Sequence, residues 1–139
     1  AAGESDRWAY YNAGTAAAAS GDYDTAAHYF DQALRFDLPE RMLWYQFGPY
    51  AAYYHTGRYA DVLAITARIQ ASAPENEDVM AWRGLALAAV GQMADARAEL
   101  DRAIQFNPNN ALAQESRALI ARADYAPPAP FRLAAVSIP

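Results

Sequence analysis

An all-helical array of antiparallel helix pairs is predicted by three observations. A turn signal, a glycine two residues before an aromatic residue or methionine, recurs at Gly21-Asp22-Tyr23, Gly57-Arg58-Tyr59 and Gly91-Gln92-Met93. The copies are spaced by 36 and 34 residues, the period of a repeated helix–turn–helix unit. Each copy lies between Ala-rich amphipathic runs, and nowhere do strand formers alternate over a useful length.

The elements follow in order. A first helix is expected over residues 6–19, with Ser5 or Asp6 as its cap, and Gly21 stops it. The second, residues 23–36, carries Ala26, Ala27, Phe30, Ala33 and Leu34 on one stripe, the spacing of a buried face. Asp37, Leu38 and Pro39 turn the chain into a third helix over residues 40–56, and a fourth covers residues 59–71. Ala73 and Pro74 turn again, and Asn76 caps the next helix, residues 77–90, which is followed by another over residues 94–106. Asn107-Pro108-Asn109 leads to a seventh helix over residues 110–124, expected to bury Leu112, Leu119 and Ile120 against the sixth. Its role is to cover the apolar face that the last pair would otherwise expose.

This pattern resembles the tetratricopeptide repeat family over about residues 7 to 124. In that family a large residue, a second apolar residue and a small one mark the first helix of each unit; an alanine and an aromatic mark the second, before a closing proline. Those roles fall here on Tyr10, Ala13, Gly14, Ala26 and Phe30; on Trp44, Phe47, Gly48 and Pro74; and on Met80, Gly84, Ala96, Leu100 and Pro108. The resemblance implies an all-α, right-handed superhelical array of three such helix pairs plus a C-terminal capping helix. The units would be residues 7–40, 41–76 and 77–110 within a domain of residues 6–124, the cap residues 110–124, with an extension at 1–5 and a tail at 125–139.

The second unit departs from the pattern. Its turn glycine arrives two residues late, which places the extra residues between Gly48 and Gly57 and, with Pro49 lacking an amide, predicts a kink at Gly48-Pro49 that strips the Tyr45 carbonyl of its donor. Where the second helix should show its alanine and aromatic it offers Val62 and Thr66. Arg83 stands where an apolar residue is usual, so a carboxylate partner or a place at the edge of the seam is expected. Residues 41–65, with the core Trp44-Tyr45-Gln46-Phe47-Gly48-Pro49-Tyr50, also look like repeat segments that accompany a papain-like cysteine peptidase domain in some bacterial proteins.

Composition narrows the function classes. The chain has 139 residues, no cysteine and eleven basic residues, all arginine. Thiol nucleophiles, thiolate metal sites, disulfides and lysine Schiff bases are therefore excluded. A net charge of −5 argues against nucleic acid or an acidic membrane face, and no apolar run reaches the roughly 20 residues needed to cross a bilayer. The chain starts at Ala1, as either a boundary within a longer protein or the product of leader removal would leave it.

Catalytic constellations are missing from the pattern. His28 and His55 stand alone, without a second ligand at metal spacing; His28 reads as a solvated side chain, His55 as a packing or ligand-contact residue. Glu75, Glu77 and Asp78 sit where a helix N-terminus favours acids. Neither Ser20-Gly21 nor Gly48-Pro49 has the lysine and glycine spacing of a phosphate loop. No cofactor is expected.

The family resemblance implies a concave face lined by the first helix of each pair. Its candidates here are Trp8, Tyr11, Asn12 and Thr15; Tyr45, Tyr54 and His55; and Asp78, Ala81, Trp82 and Leu85. That face would be aromatic and nearly neutral, suited to an extended or helical protein segment, or else the same aromatics fill seams between helices. The carboxylate-clamping version of the groove uses lysine and asparagine, of which only Asn12 is present. Ala126-Pro127-Pro128-Ala129-Pro130 predicts extended chain, leading to an apolar segment, residues 131–138, expected either to dock in the concave face of the array, in cis or exchanged with a neighbouring copy, or to belong to a surface completed by something absent. The function expected is non-enzymatic protein or peptide binding. The alternatives are an accessory domain of a larger enzyme, such as a peptidase, and an RNA-binding helical repeat, which the acidic charge disfavours.

Overall fold

The computed structural model describes residues 4–36 and 38–133. Among them the chain forms eight helices and no strand: α1 (Glu4–Ala19), α2 (Tyr23–Leu34), α3 (Met42–Tyr45), α4 (Gly48–His55), α5 (Tyr59–Ser72), α6 (Glu77–Ala89), α7 (Met93–Phe106) and α8 (Ala111–Ile120). They stack in two layers. Helices α1, α4, α6 and α8 touch in succession, and α2, α5 and α7 each pack on two consecutive members of that row. One core of buried apolar residues runs the length of the stack, from Tyr11 and Phe30 to Ile120.

The three turn glycines are the hinges of this arrangement. Gly21, Gly57 and Gly91 have φ of 82°, 82° and 88°, the left-handed conformation that favours glycine. In each turn the glycine amide bonds the carbonyl three residues back and the next amide reaches five residues back, as in Asp22 N–H to Ala17 O at 3.0 Å and Gln92 N–H to Leu87 O at 2.9 Å. This pair of bonds satisfies the last carbonyls of α1, α4 and α6 and reverses the chain.

Close packing of each pair relies on a missing side chain. A Cβ on Gly14 would meet the Phe30 ring at 2.8 Å, and one on Gly84 would meet Leu100 at 2.6 Å. Counted from the turn glycine, these are the same two positions, seven before and nine after. In the middle unit they hold Tyr50 and Thr66, both fully buried. Large and small have changed places, so the aromatic missing from α5 is supplied by α4.

Several bounds differ from expectation. α1 begins at Glu4, which puts Ser5 and Asp6 inside the helix. α2 stops at Leu34, and Asp37 lies outside the described residues. The expected third helix is two helices. Gln46 is extended (φ −114°, ψ 106°), and α4 restarts at Gly48 with Pro49 in its first turn, where no amide is needed. Because α4 then runs unbroken into the Gly57 turn, the two extra residues are Gln46 and Phe47, ahead of Gly48 rather than after it. The Tyr50 hydroxyl donates to the Leu43 carbonyl at 2.8 Å and bridges the break. α8 ends at Ile120 rather than near 124; it buries Ala113, Ser116 and Ile120, while Leu112 is half-buried and Leu119 exposed.

Polar ties join successive units. Asn76 caps α6 by accepting from the Val79 amide and donates to the Trp44 carbonyl at 2.9 Å; Asn110 caps α8 by accepting from Ala113 and donates to Asp78 at 2.7 Å. The first junction differs. Buried Arg58 holds Asp31 of α2 through two bonds of 2.8 Å and Asp61 of α5 at 2.7 Å, and the Tyr53 hydroxyl also donates to Asp31. Burial works against the Arg58 charge, but the two carboxylates outweigh it and hold the guanidinium above its ordinary range. Arg83 is met by the Leu63 carbonyl and the Thr66 hydroxyl, both at 3.1 Å, not by a carboxylate. Thr66 thus fills the aromatic's position and receives the arginine.

After α8 the chain returns across the stack. The Tyr59 hydroxyl donates to the Ala129 carbonyl and accepts from its amide, the Arg132 amide bonds Gly57 O at 2.8 Å, and the Arg132 guanidinium lies 3.3 Å from Asp24. Within the chain the tail lies at the α4–α5 turn, held there by Ala129, Pro130 and Arg132. Phe131 and Leu133 stay 56% and 83% exposed, and residues 134–138 of the expected apolar segment lie outside the described residues.

Candidate functional site

The face made by α4, α6 and α8 carries a cavity of about 220 Å³, lined by Tyr54 and His55, by Trp82 and Leu85, and by Leu112, Glu115, Ser116 and Leu119. Each helix contributes by its own periodicity. Trp82 and Leu85 are three residues apart on α6; Leu112, Ser116 and Leu119 recur at helical spacing on α8. Tyr54 meets Trp82 edge to face, with centroids 6.0 Å apart at 65°, and His55 stacks on Tyr23 at 4.2 Å. A chain of rings thus runs from the start of α2 through the end of α4 to α6.

The electrostatics are those of an apolar, weakly charged patch. Burial first, and then the neighbouring Tyr125 hydroxyl, push the Tyr54 phenol well above its ordinary range. Burial lowers His55, so its imidazole is neutral near pH 7. The Trp82 indole N–H is buried and has no acceptor among the described residues. Glu115 supplies a carboxylate at the rim. Such a surface can take apolar or aromatic side chains from a partner and pair one basic group.

Of the residues singled out by sequence, Tyr54, His55, Trp82 and Leu85 come together here. The α1 set lies elsewhere. Tyr11 is buried edge-on against Phe30, with centroids 5.2 Å apart; Trp8 is partly buried beside the Arg7 guanidinium; Asn12 is exposed; and exposed Thr15 donates to the Tyr11 carbonyl. Tyr45 is 68% exposed on the short α3, away from the cavity residues. Ala81 is buried, and Asp78 is engaged by Asn110. The α8 residues were missed as site residues. Their spacing was visible, but it reads equally as the buried stripe of a cap; of the expected set Ile120 is buried, while Ala113 and Ser116 take the places expected for Leu112 and Leu119. Among the described residues no group of three or more His, Asp or Glu is placed to hold a metal ion, and no helix is long and apolar enough to cross a membrane.

Comparison with known proteins gives one match. The family model described as Tetratricopeptide repeat matches residues 9–38, which take in most of α1, the Gly21 turn and all of α2. Nothing among curated proteins or solved structures matches the chain significantly. Repeats of this family are typically non-catalytic scaffolds for protein interaction. The Gly84–Leu100 contact, which repeats the Gly14–Phe30 contact of the matched pair, and the row of stacked helices agree with a tetratricopeptide repeat, matched over residues 9–38.

Proposed function

We propose that the chain is a non-enzymatic protein-binding scaffold whose α4–α6–α8 face receives an apolar or aromatic-bearing segment of a partner. The observation that carries this reading is the cavity of about 220 Å³ in which Tyr54, His55, Trp82 and Leu85 meet Leu112 and Leu119. Flat rings held by their neighbours offer contact area at little entropic cost.

Selection of random twelve-residue peptides against the full chain tests the proposal. Enriched peptides should carry paired aromatic or leucine side chains and lose at least tenfold in affinity with Trp82→Ala or Leu112→Ala. Tyr45→Ala, on the exposed α3, should leave them unchanged. Binding that ignores both cavity substitutions would place the site elsewhere.

A further inference from the structure

The geometry points to a second recognition site, at the α4–α5 turn, for an Ala-Pro-x-Arg peptide segment that this chain's own residues 129–132 occupy in cis. It adjoins the α4–α6–α8 face, sharing His55 with it, but rests on its own contacts at Gly57, Tyr59 and Asp24 and does not depend on that reading. The three turn glycines make the case. A Cβ on Gly21 or Gly91 would meet nothing within 4 Å, whereas one on Gly57 would fall on the Pro130 carbonyl. Three turns share one backbone, and a peptide lies across the middle one.

The site reads main-chain groups. A single side-chain oxygen, the Tyr59 hydroxyl, both donates to the carbonyl and accepts from the amide of Ala129. Three residues on, the Arg132 amide bonds Gly57 O at 2.8 Å. Pro130 lacks an amide, so no donor at that position is left unsatisfied. The Arg132 guanidinium, 3.3 Å from Asp24, adds charge complementarity on an acidic protein.

The resident segment holds on by these polar contacts while Phe131 and Leu133 remain exposed, and it leaves a cavity of about 430 Å³ against Asp22, Tyr23 and His55. A ligand with a larger side chain would fill more of that space. The occupant in trans is a different protein bearing such a segment, not a second copy. Exchange between identical chains breaks the contacts it makes, with no net gain to offset the lost freedom.

The test uses the full-length chain with residues 126–133 replaced by a Gly-Ser stretch of equal length. A fluorescein-labelled Ala-Pro-Pro-Ala-Pro-Phe-Arg-Leu peptide is titrated against this chain and against the unaltered one by fluorescence anisotropy. Saturable binding to the replaced chain, at least tenfold weaker binding to the unaltered chain, and a loss of at least fivefold on adding Tyr59→Phe at unchanged melting temperature are expected. Tyr59→Phe removes only the hydroxyl, so it stays informative if Gly57→Ala fails to fold. Absent binding, equal binding to both chains, or indifference to Tyr59→Phe would overturn the site. An unaltered chain that is dimeric by light scattering, and becomes monomeric on replacement, would overturn the choice of a different protein as occupant.

Discussion

The junction between the first and second units and those that follow are held by different chemistry. At the later junctions one asparagine does two jobs: Asn76 and Asn110 each cap the incoming helix and donate back to the unit before, at 2.9 and 2.7 Å. At the first junction the corresponding position, 34 residues before Asn76, is Met42, and α3 has no side-chain cap. Its place is taken by the buried Arg58–Asp31–Asp61 network with Tyr53, and by the strap through Gly57 and Tyr59. Neutral caps tolerate loss, because water replaces them at a helix end. A buried ion cluster does not, since removing one member leaves a charge without its partner in a low-dielectric interior.

Breaking the cluster is therefore the most damaging substitution expected. Asp31→Ala leaves the Arg58 guanidinium and the Tyr53 hydroxyl without their main acceptor and should lower stability by about 3–5 kcal/mol, measured by urea unfolding. Replacement of Asn76 by Ala at the next junction should cost about 0.5–2 kcal/mol in the same assay. Equal losses would erase the distinction between the junctions.

The swapped packing of the middle unit makes the second prediction. Leu100→Ala, opposite Gly84, should cost about 2–5 kcal/mol by opening a cavity. Thr66→Ala, at the same register position in the middle unit, should cost less, about 1–3 kcal/mol, mainly from leaving the Arg83 contact unmet. Chemical denaturation of both variants orders them, and a Thr66 variant worse than the Leu100 one would show that position 66 carries the packing after all.

The turn glycines sharpen the comparison further. Gly91→Ala should cost about 1–2 kcal/mol for the left-handed backbone alone. Gly57→Ala should cost more, since the new methyl group displaces Pro130, and thermal melts should show that excess vanish when residues 126–133 are replaced.

The smallest effect concerns pH. Burial lowers His55 below its ordinary 6.5, so the unfolded chain binds this proton more readily than the folded one. Its contribution to stability is present above pH 6.5 and is lost as pH falls from there toward the folded value. The melting temperature of the parent should drop slightly more than that of His55→Gln between pH 7.5 and 5.5; parallel curves would remove His55 from the pH response.

Helix identity, the three turns and the pairing of helices were legible in the sequence because they are local. Left-handed turns demand glycine, Ala-rich amphipathic runs demand helix, and a fixed period repeats both. The break in the middle unit was legible as a two-residue excess and a proline. Its position was not, because a helix can absorb or expel such residues on either side of Gly48, and the choice fell to the Phe30 ring, which a Cβ at either Gly14 or Gly48 would meet at 2.8 Å. Of the candidate face, four residues came from the sequence, but Tyr11 and Leu112 were assigned to each other's kind of environment: a stripe of apolar residues does not state which side of it meets a neighbour. The Arg58 cluster and the place where the tail docks lay beyond the sequence argument. Their long-range bonds join residues 22 to 108 positions apart, and nothing in local propensity sets which distant carboxylate or turn a buried arginine or a returning tail will meet. The sequence by itself determined a repeated helical hairpin; packing between hairpins decided where the middle helix breaks, which rings share a cavity and where the tail returns.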